Sequence, residues 1–114
     1  MYWSKKGKDS NALDAYKKGL SEAISINLID IQIDIIIDIG KIYLYAKKKN
    51  LQAAERYLLQ GNDIVGKTDN LLRELHIYEM LQDLYTQMDN MELAGHFNKE
   101  SQRLRVALRS RGEL

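Results

Sequence analysis

The sequence repeats itself weakly every 40 to 42 residues, and this period constrains the fold more than any other feature. Each unit holds an aromatic residue, then a short polar turn, then an alanine, in the order expected of a helical hairpin. The recurring positions are Trp3, Tyr43 and Tyr85; Gly7, Lys49 and Asp89; and Ala12, Ala54 and Ala94. A single hairpin cannot bury its apolar face, whereas stacked hairpins can. The period therefore predicts a stack of antiparallel helical hairpins.

The composition agrees with long helices. The 114 residues include no proline, which normally marks turns and helix starts, so we expect uninterrupted helices joined by short turns. They also include no cysteine, which excludes a disulfide scaffold and a thiolate zinc site. With 45% hydrophobic residues, 29% charged residues and a formal net charge of +1, the chain is expected to form one domain with no dominant electrostatic partner.

Residues 28–48 fit both a strand pattern and a helix pattern. Isoleucine alternates with polar residues through the first half, which is typical of a half-buried strand. On a helix, however, Asp30, Asp34 and Asp38 fall on one narrow stripe. About 20 uninterrupted residues suit a helix, whereas strands usually run to about 5 or 6, so we predict a helix. With these charges the stretch falls far short of a membrane-spanning helix, which needs roughly 20 mostly apolar residues.

Capping residues divide the chain into five helices, preceded by a stub at residues 1–6. The expected helix starts are Asp9 or Ser10, Asn27, Asn50, Thr68 or Asp69, and Asp89 with Glu92. The expected ends are near Ile26, Val65 before Gly66, and Met88. Since the turns are short, neighbouring helices should pack as antiparallel pairs.

The small and aromatic residues within each unit also match a known repeat. The middle unit contributes Ile39, Gly40, Tyr43, Ala54, Leu58 and Gly61. The third contributes Tyr78, Leu81, Tyr85, Ala94 and Ser101, and the first contributes Trp3, Gly7, Ala12, Tyr16 and Gly19. On these residues the chain resembles the tetratricopeptide repeat (TPR) family. Its units are longer, about 41 residues against about 34, and Gln82 replaces the close-packing glycine.

The resemblance implies an all-α fold, an α-solenoid of antiparallel helical hairpins with about two and a half repeats. The whole of 1–114 would be one TPR-like domain, with a partial repeat at 1–27, repeats at 28–66 and 67–110, and a tail at 111–114. Because the first unit begins inside a hairpin, we expect either a segment of a longer array or a chain that dimerises to complete one.

In the TPR family the first helix of each unit lines a concave groove that binds peptides. The matching positions here are Asp34, Ile37, Lys41, Leu44, Tyr45, His76, Glu79, Asp83 and Gln87. The surrounding segments, 21–46 and 71–98, carry net charges of −3 and −4, which predicts an acidic groove with apolar patches. Lys41 is the only basic residue in the set, so a clamp for a carboxylate is not expected. The predicted ligand is a basic or amphipathic peptide, or a helix of a partner protein.

Side chains suited to catalysis are few. His76, Glu79 and Asp83 share a helical face, but no second helix supplies matching Glu and His ligands, so we predict neither a metal site nor a cofactor. His96 is assigned to packing or to the surface. The aspartate stripe lacks the two carboxylates flanking a pocket that acid and base catalysis requires, and no phosphate loop, nucleophile or dinucleotide motif is present. We therefore expect that the protein is not an enzyme.

The basic runs, Lys47 to Lys49 and Arg103 to Arg111, fit a solvated turn and the C-terminal end of a helix. Neither nucleic acid nor a membrane is an expected partner. No targeting segment is recognisable, and a cytoplasmic location is expected. The leading interpretation is a protein or peptide interaction module. Two alternatives stay open: the TPR portion of a bacterial peptide-sensing or signalling or transcription regulator, and a structural module that forms a homodimer through its solenoid ends.

Overall fold

A computed structural model describes the backbone of residues 2–47 and 49–114 and the side chains of residues 11–47 and 49–114. The five helices are α1 Tyr2–Ser25, α2 Ile29–Tyr45, α3 Leu51–Val65, α4 Leu71–Gln87 and α5 Met91–Ser110. No strand occurs in these residues, so the all-α class is confirmed. The isoleucine-rich segment is helical, as predicted. Within the same residues, no helix has both the length and the apolar content needed to cross a membrane.

The predicted stub and the turn at Gly7 are wrong. Helix α1 runs for 24 residues from Tyr2 without a break, and it contains the expected start at Asp9 or Ser10. A glycine inside a helix costs about 1 kcal/mol relative to alanine, which the flanking turns of helix offset. The partial repeat at 1–27 therefore has no hairpin turn at Gly7. The proposed match of Trp3 to Tyr43 concerns a side chain outside the described ones.

Three helices begin at an asparagine whose side-chain oxygen accepts a backbone N–H bond, and one of these was predicted. Asn50 accepts from the N–H of Ala53 at 3.0 Å, as predicted for α3. Asn70 caps α4 and Asn90 caps α5 in the same way. The predicted caps Thr68, Asp69 and Asp89 are therefore wrong by one or two positions.

The residues that were expected to cap α2 and α5 shape turns instead. Asn27 and Asp89 both adopt left-handed backbone conformations, with φ of 58° and 59°. Asparagine and aspartate tolerate this region better than most other residues. Leu28 occupies the N-cap position of α2 and makes no side-chain cap. The chain thus reverses at Asn27 and Asp89, and the helix that follows begins slightly later.

Each helix packs against the next one in the chain, and α2 also packs against α4. The contacts between α2 and α3 run in opposite directions along the two helices: Tyr43 stacks on Tyr57, whereas Ile36 lies close to Gly61. Between α2 and α4 the contacts run in the same direction, since Asp34 bonds Arg73 and Tyr45 bonds Asp83. Successive helices are therefore antiparallel, while α2 and α4 are parallel.

The hairpins α2–α3 and α4–α5 make the same aromatic contact. In the first, the rings of Tyr43 and Tyr57 stack with centroids 6.0 Å apart. In the second, the rings of Tyr85 and Phe97 stack at the same distance. The alanines that define the period are buried in both hairpins: Ala54 and Ala94.

The turns of the two hairpins are also alike. The N–H of Asn50 donates to the carbonyl of Tyr43 at 3.0 Å, and the N–H of Asn90 donates to the carbonyl of Tyr85 at 2.8 Å. In both cases the asparagine at the start of the second helix is tied back to the aromatic residue late in the first. The period in the sequence is therefore also a period in the contacts.

Two glycines allow α2, α3 and α4 to approach closely. A Cβ atom on Gly40 would lie 2.9 Å from side-chain atoms of both Leu58 and Met80. A Cβ atom on Gly61 would lie 2.9 Å from Ile77 of α4 and 3.0 Å from α2. Such distances are shorter than van der Waals contact, so a larger residue at either position would force its neighbours to move.

Candidate functional site

A solvent-open pocket of about 500 Å³ lies between α2, α4 and α5. Six of the nine predicted groove residues line it: Ile37, Lys41, Tyr45, His76, Glu79 and Asp83. The parallel packing of α2 and α4 explains this arrangement, because residues at matching positions of the two helices point to the same side. The sequence therefore predicted the two helices that form most of the pocket wall.

Three of the predicted residues do not line the pocket. Leu44 is fully buried in the core, so its expected exposure in the groove is wrong. Asp34 lies beyond one end of the pocket and accepts two bonds from Arg73. Gln87 lies beyond the other end and accepts a bond from Lys49 at 2.9 Å. Because α2 is covered by α1, α3 and α4, only a narrow strip of its surface remains for a pocket.

Four other residues complete the pocket: Met80, Gln82, Asn98 and Arg105. The last two belong to α5, which the sequence analysis did not place at the groove. One sequence signal could have identified them. At the spacing of 40 residues that separates Ala54 from Ala94, Asn98 and Arg105 correspond to the core residues Leu58 and Val65. Polar residues at core positions of a repeat indicate a surface that is not covered by the next helix.

An ion pair links two helices at one side of the pocket. The guanidinium of Arg105 on α5 donates to the Oε2 atom of Glu79 on α4, and both side chains are partly exposed. The pair fixes the orientation of Glu79, whose carboxylate is then already satisfied. The arginine had been attributed to the C-terminal end of a helix, but its side chain reaches across to α4.

Tyr45 and Asp83 meet at another part of the wall. The Tyr45 hydroxyl donates to Asp83 Oδ2 at 2.5 Å, and the Tyr45 residue is 53% exposed. Partial burial, this hydrogen bond and the negative charges of Asp83 and Glu79 all raise the pKa of Tyr45 above its ordinary value.

Arg73 neutralises part of the aspartate stripe. Its Nε and Nη2 atoms donate to the two carboxylate oxygens of Asp34 at 2.7 and 2.8 Å, and Nη1 lies 3.8 Å from Asp30. Hydrogen bonding from Arg73 lowers the pKa of Asp34, an effect that partial burial opposes and electrostatic interactions with Arg73 and His76 reinforce. The stripe is therefore partly an ion-pair network that joins α2 to α4.

The formal charges of the pocket lining cancel. Lys41 and Arg105 are positive, while Glu79 and Asp83 are negative. The negative net charges of segments 21–46 and 71–98 thus do not make the lining acidic overall. Glu79 pairs with Arg105, whereas the hydrogen-bond partner of Asp83 is the neutral hydroxyl of Tyr45. Among the described side chains, no three His, Cys, Asp or Glu residues converge in a manner suited to a metal ion.

No model of a protein family, no curated protein and no solved structure matches the chain. The functional interpretation therefore depends on the contacts and the pocket described above. The resemblance to the TPR family stays a prediction from the sequence.

Proposed function

We propose that the chain is a protein or peptide interaction module, built as an α-solenoid of TPR-like hairpins. A segment of a partner protein would lie in the pocket between α2, α4 and α5. The observation that carries this proposal is the pocket itself, a concave space of about 500 Å³ lined by side chains from three helices. A concave space with a few fixed polar groups is typical of binding sites.

The contacts within the fold support the solenoid part of the proposal. Helices α2 and α4 are parallel and pack against each other, as the first helices of stacked hairpins do. The bonds of Asp34 to Arg73 and of Tyr45 to Asp83 connect residues 39 and 38 positions apart, close to the period of the sequence. Gly40 and Gly61 lie at the junctions of three helices, where a repeat requires small residues.

The pocket is better suited to binding than to catalysis. Glu79 already pairs with Arg105, and Asp83 accepts a hydrogen bond from Tyr45. A general acid or base needs a carboxyl group that is free to exchange a proton with a substrate. Ile37 and Met80 close the bottom of the pocket, but only 6% of each residue is exposed, so polar side chains provide most of the surface that a ligand would contact.

A steric block tests the proposed function without assuming the charge of the ligand. A random library of 12-residue peptides is selected on the wild-type protein, and the affinities of the enriched peptides are measured by fluorescence anisotropy. We expect His76→Trp, at an exposed position of the pocket wall, to weaken binding at least about tenfold, since it fills part of the pocket. The matched control is His96→Trp on the exposed part of α5.

The outcomes of this experiment are distinct. Loss of binding in His76→Trp with unchanged binding in His96→Trp supports the proposed site. Failure to enrich any peptide that binds the folded protein contradicts the proposed function. Equal binding by both variants would place the interaction elsewhere on the molecule.

Self-association is a second candidate, because apolar side chains are exposed around the turn between α1 and α2. Four residues in this turn or in the adjoining helix ends have exposed fractions between 41% and 65%: Ile24, Ile26, Leu28 and Ile31. Exposed apolar patches often mark interaction sites. Analytical ultracentrifugation tests this candidate, which requires a dimer in the wild type and a monomer in Ile26→Asp. A wild-type monomer at high concentration would contradict it.

A further inference from the structure

We infer that the Tyr45 ring and the Asp83 carboxylate form a subsite for an arginine side chain of the bound peptide. This inference rests on the proposed function and names the ligand group that the pocket would recognise. It concerns only one part of the wall, where α2 and α4 are joined by the hydrogen bond from Tyr45 to Asp83.

The aromatic ring of Tyr45 lies at the pocket wall. Tyr45 is the one Phe, Tyr or Trp residue among the described side chains that line the pocket, and 53% of the residue is exposed. Tyr43 and Tyr85 instead stack on other rings within the hairpins. An exposed ring beside a pocket offers its face to a planar cation, and arginine stacks on aromatic faces more readily than lysine does.

The Tyr45 side chain is already held in place before a ligand binds. The bond of 2.5 Å from the Tyr45 hydroxyl to Asp83 Oδ2 holds the side chain through its tip and does not involve the ring face. A ligand therefore has less conformational freedom to remove when it binds. The same bond leaves the Oδ1 atom of Asp83 as an acceptor for a charge-assisted hydrogen bond from a guanidinium.

The carboxylates near the pocket differ in whether an arginine neutralises them. Glu79 and Asp34 are each paired with an arginine, Arg105 and Arg73. The hydrogen-bond partner of Asp83 is the neutral hydroxyl of Tyr45, which leaves the carboxylate charge uncompensated by an ion pair in the described part of the chain. Burial and the hydrogen bond to Asp83 raise the pKa of Tyr45, and the charges of Asp83 and Glu79 raise it further.

Lys41 is the group that opposes a cationic ligand. It lines the same pocket one helical turn before Tyr45. Removal of the Lys41 ammonium should therefore strengthen the binding of an arginine peptide, because it removes a repulsion. If the subsite instead bound a carboxylate, the same removal would weaken binding.

The test uses peptides enriched from the 12-residue library and a double-mutant cycle. In one arm an arginine of the peptide is replaced by citrulline, which has a similar shape and no charge. In the other arm the protein carries Asp83→Asn. We expect citrulline to weaken binding to the wild type at least about tenfold and to have a much smaller effect on Asp83→Asn, since the interaction is already lost there.

Variants of Tyr45 separate the ring from its hydroxyl. Tyr45→Phe keeps the ring and should retain most of the affinity, whereas Tyr45→Leu should lose most of the arginine dependence. Lys41→Ala should bind the arginine peptide more tightly than the wild type does. All of these positions are exposed, and the thermal unfolding of each variant verifies that it folds.

The results distinguish the inference from the proposed function. Enriched peptides that depend on arginine through Asp83 and Tyr45 support the inference. Enriched peptides that lack arginine, or whose citrulline effect is the same in the wild type and Asp83→Asn, overturn the subsite while the interaction module stands. No enriched peptide at all overturns the proposed function, and the subsite with it.

Discussion

The hairpins α2–α3 and α4–α5 have the same turns and the same ring stacks, but they differ at four positions that face the next helix. The corresponding residues are Gly40 and Gln82, Leu58 and Asn98, Gly61 and Ser101, and Val65 and Arg105. In the first hairpin these positions are apolar or small and are buried. In the second, three of them are polar and line the pocket. The same kind of hairpin can thus either pack against another helix or form the wall of a pocket.

The polar residues of the second hairpin are stabilised by local partners. Arg105 bonds Glu79, and Asn98 Oδ1 accepts a hydrogen bond from Gln102 at 3.0 Å. Polar groups at such positions do not require coverage by another helix, since they remain partly hydrated. The buried Ser101 is different, because its hydroxyl has no hydrogen-bond partner in the described part of the chain.

The largest difference is expected at Leu58 and Asn98. Leu58 is fully buried, and Leu58→Ala should lower the free energy of unfolding by about 3 kcal/mol through lost apolar contact and a cavity. Asn98→Ala, at a half-buried pocket position, should change it by less than about 1 kcal/mol. Urea denaturation of both variants measures the difference. Equal losses would show that the second hairpin is covered in the same way as the first.

The hydrogen bond between α3 and α4 should make stability depend on alkaline pH. Burial first, and then the bond to Glu55, raise the pKa of Tyr85 to about 12. The folded protein therefore holds this proton more tightly than the unfolded chain does. The resulting stability is complete below about pH 10 and is lost as the pH rises towards 12.

Tyr85→Phe isolates this contribution. Between pH 10 and pH 12, the free energy of unfolding of this variant should fall by roughly 2 kcal/mol less than that of the wild type. At neutral pH the variant should lose about 1 kcal/mol, the usual value of one hydrogen bond. Urea denaturation across this pH range provides the measurement, and parallel decline of the two proteins would contradict the assignment.

The smallest expected changes in stability have opposite signs in the two hairpins. Gly61→Ala places a methyl group against Ile36 and Ile77, and we expect a net loss of about 1 kcal/mol after the gain in helix propensity. Ser101→Ala removes a buried hydroxyl without a partner and should increase stability by up to about 1 kcal/mol. Thermal unfolding compares the two variants directly. Destabilisation by Ser101→Ala would reveal a role for its hydroxyl.

Much of the fold could be predicted from the sequence, because hydrophobic pattern and length determine where helices form. The exact starts could not be predicted where polar residues adjoin one another, as at Asp69 and Asn70 or Asp89 and Asn90. Either residue of such a pair can cap a helix, and the choice depends on how the chain leaves the preceding helix. At Asp89 the left-handed backbone completes the turn, so the cap moves to Asn90.

The candidate site could also be predicted only in part, but the reason differs from that for the helix starts. Matching positions of α2 and α4 identified most of the pocket wall, since parallel helices present equivalent residues to the same side. The orientation of Leu44 could not be predicted from the period alone, because it depends on how deeply the neighbouring helices cover α2. Arg105 was missed because its function depends on a contact with Glu79, which is 26 positions away.

The central claim is that the pocket between α2, α4 and α5 binds a peptide. NMR titration of the isotopically labelled protein with a library-selected peptide tests it most directly. We predict that the largest amide shift changes occur around Lys41, Tyr45 and Asp83, with small changes along the exposed surface of α3. Changes concentrated instead at residues 24–31, with none around the pocket, would contradict the claim.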